Sequence, residues 1–368
     1  MLTRRDWMKT AAAAGVAATA FPCRALAAPT AADTKEVVDK ALGFLKAAQQ
    51  PGGDFFPKAG EPGLTALIVS SLLRNGVPAD NPVVAKGVEY LEKNVQKDGG
   101  VYGRGQANYM TNLALMTFKE LNTGGKYDKV IENAVKFVKG LQNDADDKKL
   151  ESGGVGYDGK TRPDLSNTHF MVEALLAAGV SKDDPSIKKA LVYVSRCQNL
   201  KSEFNDQPFA AKASEDDAGG FVYNPADQDN AKSQKKTPEG GLRSEGAMTY
   251  AGLKSFLYAG VGKDDKRVKA AVAWVRKHYS VTENPGQKDS GLFYYYGTFA
   301  KAMDALGEDE FADAKGTKHD WRQELFDQLK KTQKPDGSWV NANNAFLEGV
   351  PVLATAFALM AISYCKKK

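Results

Sequence analysis

The sequence predicts an all-α fold, an (α/α)6 toroid (barrel) of six helical hairpins. Three observations predict it. A Gln-x-x-Asp-Gly-x-Trp turn, Gln333-Lys-Pro-Asp-Gly-Ser-Trp339, has weaker copies along the whole chain. Each copy follows an amphipathic helical pattern, and each precedes a helical pattern that is apolar or small all round. Helices of the second kind are buried on every side. An open row of hairpins would leave them as an exposed apolar wall, so closure into a ring is expected.

Glycine in the turn accepts positive φ without steric cost, and aspartate bonds its own backbone there. Gln96 keeps Gly100 at Gln+4 and Tyr102 at Gln+6, and Gln49 gives the same offsets through Gly53 and Phe55. Insertions stretch the other copies: Gln142 to Gly154-Val-Gly-Tyr157, Gln198 to Gly220-Phe221, and Tyr279, in place of Gln, to Gly291-Leu-Phe293.

The outer helices are taken in order. Residues 35–49 place Val37, Val38, Ala41, Leu42 and Leu45 on one face, with Asp33 and Glu36 as the expected capping box. Residues 82–96 start after Asn81-Pro82, a cap followed by proline at the first helical position. Residues 127–142 follow, then the helix opened by Asp184-Pro185, then 265–279 and 320–333. The inner helices are of the kind seen in 109–118 and 350–364, which carry no charge. A threonine is read as marking one register in all six: Thr65, Thr111, Thr168, Thr249, Thr298 and Thr355. The residue six further on is small in five of them, which lets neighbouring inner helices approach closely.

Links from inner to outer helices are mostly tight, as in Gly76–Asn81, Gly179–Asp184 and Gly260–Asp265, each running from a C-cap glycine to an N-cap side chain. Links from outer to inner helices are long at 143–165, 199–245 and 280–293, and a ring puts them on one rim. Long loops on a rigid scaffold are where function usually sits. The polar run 224–240 reads equally as an ordered loop or a solvated excursion.

Composition is that of a globular chain with a large core: 26% charged and 42% hydrophobic residues over 368. Residues 1–27 read as a twin-arginine-type export signal: Arg4-Arg5 before Trp7-Met8-Lys9, an alanine-rich segment, then Ala25-Leu-Ala27 as a cleavage site. The expected location is periplasmic or otherwise extracytoplasmic, with residues 28–368 forming a single toroid domain. Removing the signal would lower the formal charge from +5 to +2, no footprint for nucleic acid. Membrane-surface contact and oligomeric state stay open. Cys197 and Cys365 are too few for a disulfide framework, though one bridge between them is open. The spacing of His169, His278 and His319 implies no metal, and no cofactor is implied.

A Gln-x-x-Asp-Gly-x-Trp turn repeated between paired helices resembles the squalene–hopene cyclase and protein prenyltransferase superfamily over roughly residues 35–364, and 86–96 match the stretch before the motif glutamine. The resemblance implies a terpenoid cyclase/protein prenyltransferase-like toroid around an apolar cavity, and an isoprenoid-like small molecule as partner. Cyclases of this kind protonate an olefin with an aspartic acid in Asp-x-Asp-Asp-Thr. The best match is Asp164-Leu-Ser166-Asn167-Thr168, where serine and asparagine replace the second and third acids. The zinc-binding Asp, Cys and His of the prenyltransferases are not visible, nor is the Cys-Gly-Glu-Gln segment of thioester toroids.

Candidate catalytic groups are Asp164, His169 and Glu245, at the starts of two inner helices. Asp164 is also a natural helix cap, and His169 equally a general acid or base or a satisfied ring-lining histidine. Candidate ligand-binding groups are Asn167, Arg243, Tyr250, Tyr295 and Tyr296: an amide, a guanidinium for a phosphate or carboxylate, and aromatic faces for a cation or an apolar chain. Glu173 and Lys254 lie in otherwise apolar helices, where charge is costly unless paired or wetted; they either meet or line the cavity. Three functions follow: an exported protein that binds or transforms an isoprenoid-like ligand, a non-catalytic binding or scaffold toroid, or a carbohydrate-active barrel using two of Asp164, Asp217 and Glu245.

Overall fold

The structure, a computed structural model, describes residues 28–56, 62–146, 148–230 and 233–366. The expected export signal lies outside them. The helices form hairpins in chain order: α1 (Ala31–Ala48) with α2 (Pro62–Arg74), α3 (Pro82–Lys93) with α4 (Ala107–Leu121), and α5 (Asp128–Leu141) with α6 (Leu165–Ala177). Then α7 (Pro185–Arg196), the single turn α8 (Pro208–Ala211) and α9 (Gly246–Tyr258) make the fourth. Next come α10 (Lys266–Lys277) with α11 (Leu292–Leu306), and α12 (Trp321–Thr332) with α13 (Pro351–Cys365). The second helix of each hairpin packs against its counterparts on both sides, and α2 packs against α13. The ring is closed. At that seam the Asn75 side-chain amide donates to Leu359 O at 2.7 Å and Arg74 donates to the Tyr364 hydroxyl at 2.8 Å.

The turn glutamine explains why the outer helices follow one another around the ring. In four of the five copies its side-chain amide donates to a carbonyl in its own turn and to one in the first two turns of the next outer helix, whereas Gln96 donates only to Asn94 O and Tyr102 O. Gln49 reaches Gly53 O and Val83 O, Gln142 reaches Gly153 O and Ser186 O, and Gln198 reaches Gly219 O and Arg267 O. Gln333 reaches Gly337 O and Val37 O, so the last outer helix is tied to the first. Tyr279, in place of glutamine, keeps the connection through its hydroxyl to Glu324 on α12. One residue type is required beside it. Gly53, Gly153, Gly219 and Gly337 have φ between +83° and +97°, and a Cβ there would lie 2.1–2.4 Å from the carbonyl oxygen of Lys86, Lys189, Ala270 or Lys40, one turn further along the same outer helix.

The register threonines fasten the turns to the inner helices. Thr111, Thr168, Thr249 and Thr355 accept from the backbone N–H of Val101, Val155, Phe221 and Trp339 at 2.9–3.1 Å. Thr298 does not share this register: its hydroxyl bonds Tyr295 O inside its own helix. Tyr296 holds the position instead, its hydroxyl donating to Val281 O at 3.0 Å. With that shift the residue six further on is small in every inner helix, the fifth now supplying Ala302 in place of Asp304.

Local differences have plain causes. The capping box of α1 is Thr30 with Asp33, one turn before the expected pair, so the helix begins earlier. The caps Asn81, Asp184 and Asp265 form as expected, each accepting from a first-turn N–H, and Asp320 caps α12 in the same way. The link after α11 carries a two-stranded ribbon, β1 (Phe311–Ala312) with β2 (Lys318–His319), which its sequence did not announce. The described part of 224–240 holds a 3₁₀ turn over Pro225–Asp229. Cys197 and Cys365 are separate, buried free thiols. Among the described residues no helix is long and apolar enough to cross a membrane.

Gln333→Ala removes both tethers at the closing seam and should lower the unfolding free energy by about 1–3 kcal/mol, since two carbonyls lose a donor. Lys334→Ala, at the exposed neighbouring position, should change it by less than about 0.5 kcal/mol. Equal effects in urea unfolding would remove the glutamine from its closing role.

Candidate functional site

The long connections and the N-termini of the inner helices share one rim, and a cavity of about 300 Å³ opens there. Its wall follows the inner-helix register. The register residue points out to its turn, so positions two before and two after it face the axis. Those positions supply Tyr109, Ser166, Ala247, Tyr294 and Leu353 before, and Leu67, Leu113 and Phe357 after. Leu64, Met110 and Met248 complete an apolar wall; Tyr157, Tyr223, Phe346 and Leu347 come from the connections. Phe346 and Leu347 are 61% and 58% exposed, and both have positive φ, a strained backbone for such side chains. Among the described residues lining the cavity only Glu245 is charged. Its carboxylate accepts from Lys235 at 3.0 Å and from the Gln287 amide at 2.8 Å.

Beneath the cavity the ring is filled by charge. The fifth residue past the register is Glu173 on α6, Lys254 on α9 and Lys301 on α11, all turned to the axis. Glu173 and Lys254 meet: Lys254 donates to one carboxylate oxygen at 2.5 Å and Lys301 to the other at 2.6 Å. Burial pushes the Glu173 carboxyl up, but the two ammonium groups outweigh it and hold it well below the usual carboxylate range. Burial lowers Lys254 to about 8 despite Glu173. His169, also buried, joins cluster and cavity: its Nδ1 lies 3.1 Å from Lys254 Nζ and its Nε2 2.7 Å from the Tyr294 hydroxyl. Tyr294 in turn lies 2.9 Å from Ser166 Oγ. Burial, then the nearby Lys254, hold the imidazole well below its ordinary pKa, so it is neutral.

Asp164 caps α6, accepting from the Asn167 backbone N–H and side-chain amide, both at 2.8 Å. It stands behind the cavity wall, in hydrogen-bond contact with the hydroxyl of Tyr223, which does line the cavity. Burial raises its pKa to about 6, against those hydrogen bonds. Asn167 is buried and committed to this cap and to Asn108.

The expected ligand-binding set needs correction. Tyr250 and Tyr295 are fully buried and pack edge to face, with Phe299 against both. Tyr296 serves as the register residue. Of the consecutive tyrosines it is Tyr294 that faces the cavity, because the helix turns about 100° per residue and the register lies two residues earlier than Thr298 implies. Arg243 is exposed and lies outside the cavity wall; Lys235 is the cation beside Glu245. Asp217 accepts from the Ser244 N–H and the Ser214 hydroxyl and so holds its loop, away from the cavity wall. Lys301, Tyr223 and Glu348 were not anticipated. Glu348, buried and with a raised pKa, accepts from the Tyr294 backbone N–H at 2.8 Å and closes the start of α11.

Residues 58–215 match the model of the squalene-hopene cyclase C-terminal domain. Over that stretch the sequence is squalene cyclase-like and divergent. A squalene-hopene cyclase of Schizosaccharomyces japonicus is 30% identical over 153 residues, which are 40% of this chain but only 23% of that enzyme. Solved structures share the toroid at low identity. A D-mannose isomerase superposes with a TM-score of 0.55 at 13% identity, over 90% of this chain and 96% of the isomerase. An alpha-amylase from Clostridium perfringens gives 0.54 at 12% identity, over 90% and 98% of the two chains. A family 88 glycosyl hydrolase from Bacteroides vulgatus gives 0.53 at 11%, over 92% and 99%. At such identities the likeness is one of fold alone.

The raised pKa of Asp164 carries a stability consequence. Its folded value of about 6 lies above the ordinary 3.8, so its contribution is fully present below about pH 4 and is lost as pH rises through 6. Asp164→Asn, which keeps a capping side chain, should therefore gain on the wild type by roughly 2–3 kcal/mol between pH 4 and pH 7. Urea unfolding at the two values measures it, and a difference independent of pH would mean that Asp164 is not held in a dry site.

Proposed function

We propose that this protein holds an isoprenoid-like apolar small molecule in the rim cavity, and that it does so without starting the cationic cyclisation of squalene. The observation that carries this reading is the cavity wall: leucine, methionine and aromatic side chains, with Glu245 its one charge among the described residues. Ligand pockets of this kind span roughly 300–1,000 Å³, and one at the small end suits a short chain. The name of the curated relative, a squalene-hopene cyclase, supports the same ligand class.

The chemistry around the cavity argues against olefin protonation. That step needs a strong acid facing a dry site. Ser166 faces the cavity where the resemblance asks for an acid, Asn167 is held by Asp164, and Asp164 is engaged in its cap behind the wall. Glu173, Lys254 and Lys301 together leave one positive charge in excess below the cavity, which would repel a cationic intermediate above it. A carbohydrate-cleaving site would need a second carboxylate beside Glu245, and Asp164 and Asp217 both have structural duties elsewhere.

The purified protein should bind farnesene, read by native mass spectrometry or tryptophan fluorescence, and should yield no pentacyclic product from squalene. Leu353→Trp, which fills a half-buried position on the wall, should weaken farnesene binding about tenfold or more while the fold persists. Undiminished binding in that variant would place the ligand elsewhere, and a pentacyclic product lost in Asp164→Asn would make Asp164 a working acid. Export through residues 1–27 belongs to the same proposal, on the strength of Arg4-Arg5 and the Ala25-Leu-Ala27 site. A reporter fused to these residues should reach the periplasm by twin-arginine transport, and replacing both arginines by lysine should abolish this; secretion unaffected by that change would refute it.

A further inference from the structure

The buried groups under the cavity are ordered so that every hydrogen bond in one row points the same way. Glu173 lies against the ammonium groups of Lys254 and Lys301, which keeps Lys254 a donor. Lys254 therefore donates to His169 Nδ1, and the single proton of the neutral imidazole must sit on Nε2. That proton is directed at the Tyr294 oxygen 2.7 Å away, which leaves the Tyr294 hydroxyl proton for Ser166 Oγ at 2.9 Å or for the cavity itself. Ser166 and Tyr294 both line the cavity, while His169, Glu173, Lys254 and Lys301 lie behind them, buried. A lysine charge so backed polarises each donor in front of it, and the row ends in hydroxyl protons at an otherwise apolar wall.

We propose that Ser166 and Tyr294 form a seat for a hydrogen-bond-accepting oxygen, so that the ligand is an isoprenoid chain ending in a carbonyl and not a plain hydrocarbon. This rests on the reading of the cavity as an apolar-ligand site and names the polar end of that ligand. The wall gives the chain its burial, and the seat fixes which end goes in first. Glu245 offers the complementary contrast: its carboxylate accepts hydrogen bonds, so a carbonyl oxygen gains nothing there.

The test compares farnesene with farnesal, two chains of similar length that differ in the terminal carbonyl. Wild-type protein should bind farnesal about tenfold more tightly, the worth of one good hydrogen bond in a dry site. Ser166→Ala and Tyr294→Phe should each reduce that preference, the latter more, by weakening farnesal more than farnesene. Because Tyr294→Phe leaves His169 Nε2 without a partner and could harm the fold, Ser166→Ala serves as the gentler variant, and farnesene binding reports an intact cavity in both. The carbonyl stretch of bound farnesal should also move to lower frequency and return in Tyr294→Phe. Equal affinity for the two ligands, or a preference that survives both substitutions, overturns the seat while the apolar site stands. Failure to bind either ligand overturns both.

Discussion

The architecture depends on one side-chain amide used again and again. A glutamine at the end of an outer helix has two N–H groups. One closes its own turn, and in four of the five glutamines the other reaches a backbone carbonyl near the start of the next outer helix, whose oxygen has a second lone pair to accept it. The adjacent glycine lets that helix come within van der Waals reach, where a Cβ would collide with its backbone. A hydrogen bond and the absence of a side chain thus set both distance and register between outer helices. The inner helices follow, because the threonine at the register position ties each of four turns to its own inner helix.

This repetition leaves each inner helix with the same inward positions, and what stands at them divides the ring into two halves. Near the rim they are leucine, tyrosine, serine and phenylalanine, and a cavity remains. One turn deeper three of the helices present Glu173, Lys254 and Lys301, and the space is closed by ion pairs. Breaking such a cluster by removing one member leaves a buried charge without its counterpart, which costs several kcal/mol. The charges therefore hold the lower half shut with a directional preference that a hydrocarbon plug would lack. That preference reaches the cavity through His169, which is within hydrogen-bond distance of Lys254 on one side and Tyr294 on the other.

Much of this was legible in the sequence because it repeats. The hairpins, the closed ring, the tight links on one rim and the long ones on the other all follow from periodicity and turn residues. Glu173 and Lys254 stood out as charges in apolar helices, and the structure joins them. The site was harder to read. Three consecutive tyrosines lie on three sides of a helix, and choosing among them requires its register to the residue. Thr298 suggested a register two residues late, which hid Lys301 and put Tyr295 and Tyr296 ahead of Tyr294. The signal that could have corrected it was present: six residues after Thr298 stands Asp304, where the other inner helices have a small residue, while Ala302 obeys the rule from Tyr296. Arg243 and Asp217 misled for another reason, since the direction of a side chain in a long loop is set by contacts that periodicity does not encode.

Closure by Gln333 on Val37 gives the ring a property that a linear stack of hairpins cannot have. Four of the six seams between outer helices, including the one between the last repeat and the first, carry the same glutamine contact, so the last hairpin and the first meet as other neighbours do. The end of α13 and the start of α1 fall on the rim of tight links, where all the other hairpins but α11 and α12 are joined by a few residues. Covalent connectivity is therefore close to interchangeable at that rim: a short peptide could join the present ends, and the chain could be opened at another tight link, such as 122–127, with the cavity on the opposite rim untouched. The fold is, in this sense, cyclic in its contacts although linear in its peptide bonds, and a circularly permuted chain should recover it.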